Sequence, residues 1–233
     1  MKVRGRRECQ DCGCRWSYYE TGSVACPDCE SLRSVGVGDH TLHTDSPATL
    51  DLTPYRTAAA EERLADTVDD CKRDLRAYVR RRGFVDGGRL RPLDETVVAA
   101  AELLQVIDAF DRLRSATDAD HAYVLALLRD ADRGERPGPS AVTDDLAPAR
   151  GLGDANAADD YRRDLLAWLD EHPDPEARRT LGTLRERIKR VEALEGDVPP
   201  SDAESLVAAA REVGTSLRED DETALAAARD RLR

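Results

Sequence analysis

Lysine and aromatic side chains are both scarce in this chain. Lysine occurs only at positions 2, 72 and 189, so nearly all of the 35 basic residues are arginine, and aromatics make up 4% of 233 residues. Any interior must be built mostly from Leu, Val and Ala. Long apolar runs are missing too. The longest, Ala122 to Leu128, falls far short of the roughly 20 residues that a membrane-spanning helix needs, so no membrane segment is expected. There is no Gly-rich phosphate loop, no nucleophile with a base in sequence context and no His/carboxylate metal motif. Paired carboxylates carry no information in a chain with 47 acidic residues, and an enzyme is not expected. The opening MKVRGRRECQ holds no apolar leader, which sets the expectation of a reducing, cytoplasmic environment.

What is abundant is acid. The formal charge is −12, but residues 1–34 sum to +1, leaving −13 for the remainder. Asp-rich, Lys-poor and Ala-rich composition suits a protein kept hydrated by carboxylates in strong salt. The basic edge Arg4, Arg6, Arg7 and Arg15 invites contact with nucleic acid. Salt opposes it: at molar ionic strength the Debye length is about 3 Å, so phosphate contacts need help from stacking or hydrogen bonding.

Six cysteines stand against these absences, and four form Cys-x-x-Cys steps, Cys9/Cys12 and Cys26/Cys29. Gly13 after the first step and Pro27 inside the second suit tight turns. The β-prone Arg15–Tyr19 segment and the Glu20–Ser23 turn predict a hairpin that brings the pairs together. Four thiolates then close a tetrahedron around one structural zinc ion, with rubredoxin-like iron as the competing metal. A segment of about thirty residues cannot bury enough apolar surface to fold alone, so metal and fold should appear together. Cys14 is expected to be a spare thiol and Cys71 a small buried hydrophobe. His40 and His43 are expected to be exposed loop residues. Trp16 and Tyr18 are expected to cover the metal core, leaving Tyr19 exposed for stacking.

With these two knuckles, residues 4–34 resemble the transcription factor IIB-type zinc ribbon, although the spacing between knuckles is slightly short and Glu30 stands where Gly is common. Through RGRRECQDCGCRWSYYETGSVACPDC and LHTDSPATLDLTP, the chain is also similar to uncharacterised zinc-ribbon proteins of halophilic archaea. The first resemblance implies a structural metal and a docking role. The second implies no particular activity.

The fold expected is mainly α: a small N-terminal four-cysteine zinc-ribbon β-hairpin module, then helical-hairpin or bundle lobes. The expected division is ribbon 1–38, connector 39–53, helical lobe 54–132, flexible linker 133–157 and second helical lobe 158–233. The linker rests on Gly134, Gly138, Gly151, Gly153 and several prolines. Thr53 with Pro54 should open a helix whose stripe is Leu64, Val68, Cys71, Leu75 and Tyr78, ending at Gly83. Ser201 with Glu204 reads as a capping box. The function expected is docking on transcription or other nucleic-acid machinery through a protein complex, with nucleic acid touched by Arg4, Arg6, Arg7, Arg15 and Tyr19. The alternative is a scaffold unrelated to nucleic acid, pairing through the near-heptad stripe Leu181 to Val191.

Overall fold

The computed structural model describes every residue except Glu62. It is mainly α, with a small antiparallel sheet at its N-terminus. β1 (Lys2–Cys9) is the middle strand, between β2 (Arg15–Ser17) and β3 (Ser34–Leu42). The main pairing is therefore not a hairpin between the two cysteine pairs. Tyr18 and Tyr19, expected as strand, lie in the single-turn helix α1 (Tyr18–Thr21). The long partner of β1 is β3, which starts beyond the second knuckle and runs past the expected boundary at residue 38. Gly36 and Gly38 diluted the β signal of Val35, Val37 and Thr41.

The body contains α2 (Thr53–Ala60), α3 (Val68–Arg81), the short β4 (Val85–Asp86) and β5 (Arg89–Leu90), and α4 (Glu95–Phe110). α5 (Asp118–Asp130), α6 (Ala147–Leu169), α7 (Pro175–Ala193), α8 (Pro200–Glu219) and α9 (Glu222–Arg231) complete it. Asp94 caps α4 by accepting from Val97 N–H at 2.8 Å. The expected first helix is interrupted: after α2 comes a 3-10 turn, Leu64–Thr67, before α3 carries the buried Cys71, Leu75 and Tyr78.

The 133–157 linker is a correction. α6 begins inside it, at Ala147, and its Gly151 and Gly153 are buried. They are glycine because other backbone packs against them there. A Cβ on Gly153 would sit 2.6 Å from the Cα of Glu102 in α4, and one on Gly151 would sit 2.3 Å from the Gly196 carbonyl oxygen. α6 thus joins the two halves, and one buried apolar cluster runs from Leu50 to Leu232. The stripe Leu181, Leu184, Ile188 and Val191 faces this interior, so it is not free to pair with another chain. α8 continues through Gly214, which leaves room for the Tyr161 hydroxyl.

Ser201 and Glu204 form no capping box. Glu204 instead accepts from Arg150 Nη2 at 2.5 Å. Arg150 and Glu102 are both completely buried, 3.1 Å apart, and Arg136 bridges Glu102 at 2.7 Å and Asp154 at 2.6 Å. Tyr123 donates to Glu102. Burial, partly offset by Arg136, raises the Asp154 carboxyl to about 6. This network ties α4, α5, α6 and α8 together at the centre of the body.

The expected connector 39–53 is also part of the packing. Leu50 and Leu52 are buried in the core, and His43 and Asp45 are buried as well.

Candidate metal centre

The first knuckle is the turn from β1 to β2, and the second precedes β3. The two have the same backbone design. Cys9 accepts from Gly13 N–H and donates to the Cys14 carbonyl, at 3.1 and 2.8 Å. Cys26 accepts from Glu30 N–H and donates to the Ser31 carbonyl, both at 2.9 Å. The fifth residue of each is left-handed, Gly13 at φ 73° and Glu30 at φ 59°. The second knuckle thus imposes a glycine conformation on a glutamate.

This design gathers Cys9, Cys12, Cys26 and Cys29 until their sulfurs all lie within 4.8 Å of one another. Cys9–Cys29 and Cys12–Cys26 are 3.6 Å apart and Cys12–Cys29 3.5 Å. A disulfide needs about 2.05 Å, and all six cysteines are free. A thiolate tetrahedron with bonds of about 2.3 Å has edges of about 3.8 Å, close to these separations. The four residues can therefore hold a metal ion. Among the described residues no other group of three or more His, Cys, Asp and Glu is gathered for one.

The electrostatics fit a cation. Backbone N–H groups of Cys12 and Asp11 point at the Cys9 sulfur and lower its pKa. Burial raises Cys26, but the N–H groups of Cys29 and Asp28 outweigh it and bring that thiol down to about 7. The Cys14 N–H favours a thiolate at Cys12, yet the neighbouring sulfurs and burial push it up to about 12. Without a cation the cluster cannot hold four thiolates at once. A divalent ion removes that conflict and binds with release of protons. Cys14 lies outside the four. Cys71 is fully buried in α3, and burial raises it to about 12.

The module has little else to hold it. Up to Leu42 the buried apolar residues are only Cys9, Cys26 and Leu42. Trp16 and Tyr18 are half-buried, and Trp16 donates its indole N–H to the Ser23 carbonyl at 3.1 Å.

The remaining expected contact residues separate. Tyr19 is not a free stacking platform: its ring lies 4.5 Å from that of His43 and fills the space over Gly5 and Gly87. His43 is buried, not an exposed loop residue, and its Nδ1 accepts from Gly87 N–H at 3.2 Å. His40 is exposed as expected. Arg15 is ion-paired with Glu8 at 2.8 Å. Arg4, Arg6 and Arg7 have no carboxylate within 4 Å among the described residues.

Tyr19 and His43 belong to a seat between module and body that sequence reasoning missed. Gly87 and Gly88 turn β4 into β5, and Trp168 donates to the Gly88 carbonyl at 2.9 Å. Thr44 donates to Asp164 in α6 at 2.6 Å, and that carboxylate also accepts from Phe84 N–H. The Asp86-Gly87-Gly88 tripeptide is a hairpin signal that could have revealed the strand pair, though not what it seats.

Residues 1–232 match the model of a family of unknown function, DUF7117. The chain belongs to that family. No curated protein and no solved structure matches it. The DUF7117 match spans module and body alike, so the four cysteines and the helices lie within one family match. Among the described residues no helix is long and apolar enough to cross a membrane.

Proposed function

We propose that this protein is a non-enzymatic docking module. Its cysteine cluster holds one structural zinc ion in a ribbon of the transcription factor IIB type, and the ribbon meets a component of transcription or other nucleic-acid-processing machinery in the cytoplasm. Zinc is favoured by four thiolates in a closed tetrahedral set. That set leaves no open position for water, which fits a structural role.

One observation carries the docking reading. Among its described residues the body leaves only Leu125 and Leu194 exposed of its large hydrophobics, whereas the far smaller ribbon displays more: Val24, Leu32, Val35 and Val37 are 45, 74, 46 and 40% exposed. With Met1 they are five of the seven exposed large hydrophobics among the described residues. Val35 and Val37 share one face of β3. Concentration of apolar surface on a small rigid module is what a partner site requires.

The test is cross-linked co-purification of the zinc-loaded protein from a salt-matched native extract, with partners identified by mass spectrometry. Polymerase or ribosomal components should be recovered, and Leu32→Ser/Val35→Ser/Val37→Ser should lose them. An identical partner set for wild type and variant would defeat the proposal, as would recovery no better than a mock column.

A further inference from the structure

On the ribbon, β1, β3, α1 and the turn before the second knuckle enclose a cleft of about 340 Å³. Lys2, Arg4 and Arg7 contribute its charge, Tyr18, Val24 and the His40 ring its walls, and no carboxylate lines it. In a chain of formal charge −12, that is a concentration of one sign against the trend. We propose that this cleft binds the phosphate backbone of single-stranded nucleic acid, with Arg4 and Arg7 as the phosphate-gripping residues.

The two guanidinium groups are set for an anion in a way composition alone does not require. Arg7 donates Nε–H to Ser34 Oγ and Nη2–H to the Ser34 carbonyl, both at 3.0 Å. Arg4 donates Nη1–H to the Gly36 carbonyl at 3.2 Å. β3 thus holds both forks through neutral oxygens, which fixes their positions without neutralising them. By contrast, Arg15 and Arg33 on the same module are each paired with a carboxylate at 2.8 Å, and Lys2 is tied to Glu171 at 2.8 Å. A guanidinium has five N–H donors, so Arg7 retains three and Arg4 four for a ligand. Planar forks grip phosphate bidentately. Gly36 keeps the floor open, because a Cβ there would lie 2.9 Å from the Arg4 Cβ. The half-buried Tyr18 ring, in contact with the cleft, offers a base a stacking surface. Hydrogen bonding and stacking are the contributions that survive when salt screens charge. A single strand fits better than a duplex, whose paired bases are not free to stack on Tyr18.

This inference deepens the docking reading and rests on it only in taking the ribbon as the face that meets the machinery. Its test uses purified components, so either can fail alone. A fluorescein-labelled 12-nucleotide single-stranded RNA is titrated with full-length, zinc-loaded protein across a KCl series, reading anisotropy. Arg4→Ser/Arg7→Ser should bind at least tenfold more weakly. Losing two phosphate contacts should flatten the log–log salt slope by about 1.4. Arg6→Ser, outside the cleft, should stay within twofold of wild type. Zinc content verifies the ribbon. Should the double variant lose metal, Arg4→Ser alone, whose one hydrogen bond is to an exposed carbonyl, must still weaken binding several-fold. The proposal is overturned if wild type does not bind at 50 mM KCl, or if variants that retain zinc bind like wild type. Equal binding of the duplex, or of an Asp/Glu peptide of equal charge, overturns it as well.

Discussion

Glu30 occupies a position built for glycine. Its counterpart in the first knuckle is Gly13, and both are left-handed. An L-residue there costs roughly 1–2 kcal/mol, so Glu30→Gly should tighten metal binding by about 1 kcal/mol, or about fivefold, in competition against a chromogenic chelator. His43 provides a second test. Burial lowers its pKa, so the folded state takes up a proton less readily than the unfolded chain. Its contribution to stability is present above the unfolded value of about 6.5 and is lost as pH falls through the lower folded value. With zinc in excess, wild type should lose more stability between pH 7 and 5 than His43→Gln does, as followed by urea denaturation. Parallel curves would remove His43 from the seat's pH response.

At the scale of elements, the ribbon and the helices are held by different means. The ribbon has a four-cysteine cluster and almost no apolar interior, while the body has a continuous apolar cluster. In a Trp168→Phe protein, Trp16 reports on the ribbon alone. Chelation should change its emission while far-UV helicity is largely retained. A ribbon that keeps its Trp16 environment without metal would contradict the role given to the four cysteines. The body has its own sensitive point. Arg150→Met leaves Glu102 and Glu204 without their shared cation, and removing one partner from a buried ionic network costs about 3–5 kcal/mol. Calorimetry should therefore show a markedly lower unfolding midpoint for that variant.

What the sequence revealed divides along the same line. The knuckles were readable because Cys-x-x-Cys is a local pattern whose geometry is set within five residues. The caps at Asp94 and Asp174 are local in the same way, each carboxylate accepting from backbone N–H groups two or three residues on. The linker was not. Gly151 and Gly153 signal flexibility when counted along the chain, and only the approach of Glu102 and Gly196 shows that they are there to permit contact. Tyr19 failed likewise, because a strand pattern cannot disclose that Gly5 and Gly87 make room for its ring. Glu204 matched a capping signature and is used by Arg150 instead. Local signals were legible. Contacts between separate parts of the chain were not.

At the scale of the whole molecule, the excess of carboxylates produces self-repulsion that counter-ions relieve. The melting temperature should rise as KCl is increased from 0.1 to 2 M, and scanning fluorimetry would check this. A flat or falling curve would count against a protein adapted to strong salt.

The seat for the ribbon is assembled from distant parts of the chain, since Thr44 bonds to Asp164 and Gly88 to Trp168. During synthesis the sulfurs and β3 emerge first, so the ion can be captured while α6 is still untranslated. For more than a hundred residues of elongation, a finished metal head would travel without its socket. Its apolar β3 face and charged cleft would meet the crowded surroundings of the ribosome before the rest of the molecule could restrain them.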